Sequence, residues 1–319
     1  MKRWLKYAKP YKLYFILGPL CMIVEVLGEV LMPRFYSHIV DEGVATGNTG
    51  YIIVSCLLMV LTAVLMMFGG VGGAYFASHA SVGFASDLRR DVYKKIQAFS
   101  FENIDHFSTG SLITRLTNDI TQIMNMINML LRMCLRAPGM MIGAIIMSII
   151  VNKELARILL ITMPLLIAMI IIVLRIGYPR FTQMQAKLDK LNQRIQEDLT
   201  NVRVIKSFVR EDYEIGRFGD SNHDLKETTL SALKLMIFIM PAAMLIMNLT
   251  VVGVVYSGGR QVVFNTMQVG DLTSFVNYIT QILMSLMMLT MIFLNASRAI
   301  ASGKRIAEVL DEPVILNDD

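Results

Sequence analysis

Five stretches of this chain contain no Asp, Glu, Lys or Arg: residues 43–86, 137–152, 158–174, 235–259 and 272–297. A helix needs about 20 predominantly apolar residues to cross roughly 30 Å of hydrocarbon, and several of these runs reach or exceed that length. Leu13 to Pro33 adds a sixth, apolar apart from Glu25 and Glu29. The expected fold is an all-α membrane protein with spans at about 13–33, 52–78, 129–152, 155–175, 235–258 and 272–297. The composition agrees: 55% of residues are hydrophobic, 17% are charged and the mean hydropathy is +0.55, far from a soluble domain. The first run lacks a short apolar core followed by an A-x-A-like site, and two acids interrupt it, so it reads as a span and not as a cleavable leader.

Basic residues set the expected orientation. Lys2, Arg3, Lys6, Lys9 and Lys12 precede the first span without an acid, which places the N-terminus in the cytoplasm. Six crossings return the C-terminus to the same side, with the stretches after spans two and four, rich in Lys and Arg, also inside. The net charge of +5 follows from this topology and gives no reason to expect a nucleic-acid partner. Cys21, Cys56 and Cys134 lie in or beside apolar runs without metal-ligand spacing and are expected to be packing residues.

The hydrophilic stretches carry the organisation. From about Ser78 to Asn128, Val82, Leu88, Val92, Ile96 and Phe99 recur at near-helical spacing, and Leu112, Leu116, Ile120, Ile123 and Ile127 do so again. Two amphipathic helices are expected, with Gly110 ending one element and Ser111 capping the next. Residues 175–234 repeat the design, with Leu188, Leu191, Ile195, Leu199, Val202 and Ile205 as the apolar stripe of a charged helix. About 25 extramembrane residues reach roughly 35 to 40 Å from the bilayer, and arms of that length imply something to touch.

At this point the residues resemble a known family, the transmembrane domain of ATP-binding cassette (ABC) exporters of the multidrug or lipid-flippase kind. The similar segments are PRFYSHIVDEG from Pro33 to Gly43, NIDHFSTGSLITRLTND from Asn103 to Asp119 and NVRVIKSFVREDYEIGRF from Asn201 to Phe218. Gly258-Gly259 through Gly270-Asp271-Leu272 and the tail Ala301 to Asp311, ASGKRIAEVLD, complete the match. The resemblance implies six long helices with two cytoplasmic extensions, and a homo- or heterodimer in which spans four and five cross to the second transmembrane subunit. It implies an outward, ATP-driven movement of an amphipathic drug, lipid or peptide by alternating access, in a bacterial plasma membrane. It also implies coupling to ATPase domains through Phe107, Ser108, Thr109 and Gly110 in the first arm and Phe208, Arg210, Glu211, Asp212, Tyr213 and Glu214 in the second.

The same resemblance places a nucleotide-binding domain after Asp311, so 311–319 is expected to begin a linker, and that domain to be cut from this chain or supplied by another. No G-x-x-x-x-G-K-[ST] occurs in the 319 residues, so this chain is not expected to be an enzyme or to hold a cofactor of its own. The resemblance implies ATP and Mg for that nucleotide-binding domain. Tyr256 to Gln261, YSGGRQ, echoes the family's ATP-clamping signature but closes an apolar run on the outer side, and is read as coincidence.

The candidate substrate cavity consists of Glu25, Glu29, Arg136, Asn248, Asn277, Gln281, Met284, Met288 and Asn295. Glu25 and Glu29 share one helix face, and an ionised carboxylate in the bilayer core requires water or a partner. They suit a cationic substrate or a protonation switch; the plainer reading pairs them with Arg34, Lys153 or Arg157. Counting from the outer ends puts Glu25 roughly 12 to 14 Å deep and Arg136 roughly 25 Å deep, so direct pairing is not expected. Arg132 and Arg136 are expected to snorkel towards lipid phosphates or to meet an anionic headgroup. Amides in apolar helices seek partners in the bundle interior. Met284, Met287, Met288 and Met291 align along span six, although methionine is scattered over every span. Pro138, Pro164 and Pro241 are candidate kinks, and Gly69, Gly70, Gly72 and Gly73 a close-packing surface. An ion-coupled carrier using Glu25 and Glu29 and a non-transporting scaffold are the alternatives; neither explains two long arms and a polar cavity together.

Overall fold

A computed structural model describes residues 2–313 and is helical throughout its regular structure. The short helix α1 (Lys2–Ala8) leads through a 3₁₀ turn into α2 (Lys12–His38), which ends in a π-helical turn over Ile39–Val44. The helix α3 (Thr49–Gln97) follows, then two short helices, α4 (Phe101–Phe107) and α5 (Thr109–Thr114). After a π-helical turn at Arg115–Asp119 come α6 (Ile120–Val151), α7 (Lys153–Thr200), α8 (Val202–Ser207), α9 (Glu211–Val263) and α10 (Val269–Asp311). Six helices among the described residues are long and apolar enough to cross a membrane. Several greatly exceed the span: the 53 residues of α9 amount to roughly 80 Å at 1.5 Å per residue.

Local signals explain where the helices begin. Gly47 takes φ +67°, and Asn48 then caps α3 by accepting from the Tyr51 amide at 3.0 Å. Ser100 and Asn103 form a reciprocal capping box at α4. Asn152 interrupts α6 and α7 in extended conformation, and its Oδ1 accepts from the amides of Glu154 and Leu155 at 2.9 and 3.0 Å. The break in the first arm differs from expectation. Ser108 turns the chain with φ +53°, whereas Gly110 and Ser111 lie inside α5. A serine at positive φ supplies the reversal that glycine was expected to supply.

The described residues group into two bodies, 157–254 and the remainder. In the first body, α2, α3, α6 and α10 pack together, with α1 alongside. On the side where helices outrun the apolar runs, its core joins Tyr7, Leu88, Val92, Ile120, Ile306 and Val309. The expected stripes face this core except Val82, which is exposed. Lys6 and Tyr7 both bond Asp91, at 3.0 and 3.1 Å, tying α1 to α3. Glycines in α3 let α2 approach closely: a Cβ at Gly69 would lie 2.8 Å from the Cys21 carbonyl oxygen. Gly258 is also a packing glycine, since a Cβ there would press into Leu272 and Leu155.

The second body contains most of α7, α8 and most of α9. Thr162 and Thr250 bond across it at 3.1 Å, Lys187 pairs with Asp224 at 2.5 Å, and Arg194 donates to the Arg217 carbonyl at 2.7 Å. Its stripe is covered only in part: Leu191 is buried, while Ile195, Leu199 and Val202 are exposed.

Candidate functional site

The apolar end of the first body holds an ionic network built from three helices. Glu25 and Glu29 stand one turn apart on α2, as an i, i+4 pair must. Arg136 of α6 bridges them, with Nη1 2.9 Å from Glu25 Oε1 and Nη2 2.6 Å from Glu29 Oε1. The expectation that these groups do not pair is therefore corrected. It counted the depth of Glu25 from Pro33, whereas α2 continues to His38. From His38, Glu25 lies roughly 20 Å in, and from Val151, Arg136 lies roughly 22 Å in. The plainer pairing is corrected as well, because Arg34 is engaged by Asp271 at 2.5 Å.

Proline chemistry brings the third helix to this network. Pro33 lacks an amide hydrogen, which leaves the Glu29 carbonyl in α2 without its usual donor. Gln281 of α10 fills the gap, its Nε2 donating to that carbonyl at 2.9 Å. Tyr278 donates to the Val30 carbonyl at 3.0 Å, and Ser274 to that of Pro33, so the same face of α10 binds three carbonyls along α2. Gly70 of α3 leaves room beside the Glu25 carboxylate; a Cβ there would lie 3.3 to 3.5 Å from its atoms.

By formal charge, two carboxylates and one guanidinium sum to one negative charge. Glu25 Oε2, Glu29 Oε2, Arg136 Nε and Gln281 Oε1 are buried without a hydrogen-bond partner among the described residues. Such unmet capacity in a low-dielectric setting is costly and suits a site that receives a polar or cationic group. The structure thus brings together Glu25, Glu29, Arg136 and Gln281. Asn277 is exposed and donates to the carbonyl of Thr273 in its own helix at 3.1 Å. Met284, Asn295 and, in the second body, Asn248 are exposed; Met288 is half-buried, and the Met291 side chain lies outside the described residues.

A second cluster lies at the arm end of the first body. Asp119 is fully buried and accepts from Ser302 Oγ at 2.9 Å and Arg305 Nε at 2.8 Å, with a second bond from Arg305 Nη2. Burial pushes its carboxyl up, but hydrogen bonds from Arg305 and Ser302 and the charges of Arg305 and Arg115 outweigh that and hold it below the usual carboxylate range. The Arg305 guanidinium is pushed up in turn, chiefly by its bond to Asp119. Arg115 donates to the Arg305 carbonyl at 2.7 Å, pairs with Glu308 at 3.0 Å and covers the Phe107 ring at 4.7 Å. Phe107 stacks on Phe99, and Asn103 Nδ2 reaches the Pro313 carbonyl at 3.1 Å. The short helix α4 is thereby fastened to the end of α10. Arg115 and Asp119 lie in one motif of the sequence and Arg305 in another, and the signal that could join them is an acid and two bases within otherwise amphipathic segments.

Of the residues assigned to coupling, Phe107 is buried, and Ser108, Thr109 and Gly110 are exposed beside it. In the second body Phe208, Arg210, Glu211, Asp212 and Tyr213 are exposed around the α8–α9 junction. Val209 there adopts φ +53°, a strained conformation for a β-branched residue. Arg210 and Arg217 lie 5.7 and 5.8 Å from the Tyr213 ring, and Glu214 holds Arg217 at 3.0 Å. Of the expected linker, 314–319 lies outside the described residues.

Residues 15–286 match the family model described as the ABC transporter transmembrane region. The chain is 38% identical over 311 residues to the uncharacterized ABC transporter ATP-binding protein YfiB of Bacillus subtilis, covering 98% of this chain and 54% of that protein. An uncharacterized ABC transporter ATP-binding protein of Mycobacterium tuberculosis is 32% identical over 313 residues, with 98% and 54% covered. A protein of Mycobacterium bovis named as a fatty acid ABC transporter ATP-binding/permease protein is 29% identical over 226 residues, covering 71% of this chain and 36% of its own length. The chain thus spans about half the length of the first two of these relatives, 54% in each case.

Proposed function

Because the chain belongs to the family of ABC transporter transmembrane regions, we propose that it is the membrane-spanning half of an ATP-driven exporter of an amphipathic molecule. It works with a second transmembrane subunit and two nucleotide-binding domains, in a bacterial plasma membrane with both termini in the cytoplasm. The observation that carries this reading is the apolar surface at the tips of the arms. Phe101 in the first body is 89% exposed, and Phe208, Val209 and Ile215 in the second are 73%, 82% and 66% exposed. In the second body, Leu199 is 24 residues beyond Arg175, roughly 36 Å past the apolar run, so lipid does not cover Phe208, Val209 and Ile215, which follow it. Apolar tips held out in water suit docking to another protein. ATP-driven closure of the nucleotide-binding domains would move the arms, and the helices would carry that movement to the spans by alternating access.

The network at Glu25, Glu29 and Arg136 supports a substrate class. One relative is named for fatty acids, but in this chain Arg136 already holds two carboxylates, and the formal charge of the three groups is negative. A third carboxylate meets repulsion there, whereas a cationic or neutral amphipath does not. The test is reconstitution with the nucleotide-binding domains in vesicles, with a fluorescent lipophilic cation as probe. ATP-dependent accumulation is expected, with Glu25→Gln/Glu29→Gln slowing the cation but not a neutral amphipath. Glu211→Ala should leave ATP hydrolysis while transport fails. Accumulation driven by a proton gradient without ATP would instead establish an ion-coupled carrier.

A further inference from the structure

An apolar groove of about 720 Å³ opens in the first body between α1, the start of α6 and the end of α10, away from the charged network. That volume is in the range of small-molecule sites, roughly 300 to 1,000 Å³. Trp4, Phe15, Phe84 and Ile127 contribute to its walls, and Lys304 is its one charged lining residue. Trp4 stacks near Phe84 with ring centroids 6.5 Å apart. Gly303 lies at its floor: a Cβ there would make ordinary contact, 3.7 Å from Trp4 Cζ2 and 4.0 Å from Ile123 Cδ1, so a side chain as long as leucine would extend into the groove.

Position and charge identify the occupant. The lining residues lie at or just beyond the arm-side ends of the apolar runs in α2, α3, α6 and α10, the depth of lipid headgroups and first methylenes. Tryptophan and lysine are the residues that settle at that depth. Leu5 and Ile300 on the rim are 64% and 62% exposed, so the groove opens outward. The acid one turn along α10, Glu308, is paired with Arg115, and Lys304 has no acidic partner among the described residues. An apolar slot beside an unpaired ammonium at headgroup level complements an anionic phospholipid. We infer that the groove seats an acyl chain of one such lipid, its phosphate bound by Lys304, so that the lipid bridges α1 and α10. The inference needs the chain in a bilayer but does not depend on which side faces the cytoplasm, nor on what is exported.

Trp4 is the only tryptophan of the 319 residues, so the groove carries its own reporter. The chain is reconstituted in symmetric vesicles of mixed phosphatidylglycerol and phosphatidylcholine, with bromine on the acyl chains of one or the other. Brominated phosphatidylglycerol should quench Trp4 with an apparent affinity about fivefold higher than brominated phosphatidylcholine, the preference one basic residue provides near a membrane surface. Lys304→Gln should abolish the preference. Gly303→Leu should remove it by filling the slot, and Lys12→Gln should retain it. Equal quenching by both lipids in the parent chain overturns the headgroup assignment. No quenching by either overturns the lipid and means that protein, such as a second copy, covers the groove. Loss of the preference in Lys12→Gln as complete as in Lys304→Gln overturns the site in favour of diffuse surface charge.

Discussion

Arg136 bridges two carboxylates at once, and its removal would leave both buried without a cation. Breaking a buried ion pair from one side costs about 3 to 5 kcal/mol, so Arg136→Gln should lower the melting temperature in detergent substantially. Converting Glu25 and Glu29 to Gln in the same chain should recover most of the loss, because the stranded charge is then gone. A single variant that melts with the parent would remove any structural role for the network. Asp119 makes a different prediction because its carboxyl is held below the ordinary range in the folded chain. The folded state then binds fewer protons than the unfolded one, and stability from this group is present above the usual Asp value of about 3.9 and lost as pH falls through the lower, folded value. The advantage of the parent over Asp119→Asn should therefore be full near pH 6 and shrink as melting is followed below about pH 4. An advantage that widens with acid would show that another group controls this end of the body.

At the scale of helices, α2 and α10 are joined by side chains of one helix reading carbonyls of the other. Gln281→Leu should leave the Glu29 carbonyl bare at a cost of about 1 to 3 kcal/mol. The same substitution should cost less in a Pro33→Ala background, where Ala would restore the amide donor within α2. Strictly additive melting shifts across the four chains of this cycle would separate the proline from the glutamine bond. The short helix α4 owes its start to the Ser100–Asn103 box, which was not anticipated, because Asn103 reads equally well as an arm residue until its geometry is seen. Likewise the reversal at Ser108 was assigned to Gly110, since glycine is the usual signal for positive φ and serine is not.

For the first body as a whole, the bonds from Asp119, Arg115 and Asn103 make the first arm and the end of α10 one cooperative unit. Backbone hydrogen exchange should accordingly show α4, α5 and residues 299–311 opening together in Asp119→Ala, while the packed centres of α2 and α6 keep their protection. Independent opening of the two segments would show that the cluster fastens nothing. The family was legible from the resemblance of short segments such as Asn201 to Phe218 and Ala301 to Asp311. The six crossings and the two arms were legible separately in the chain itself, because the length of a charge-free run and the period of an apolar stripe are one-dimensional properties. Glu25 and Glu29 were legible as costly for the same reason: an acid within such a run stands out without any fold. Their partner was not. Arg136 is 107 positions from Glu29, and Arg305 is 186 from Asp119. Whether such groups meet depends on how far one helix is shifted and turned against another. That shift is set by packing between helices, by glycines that admit a neighbour and a proline that frees a carbonyl, and it appears only when the helices are assembled.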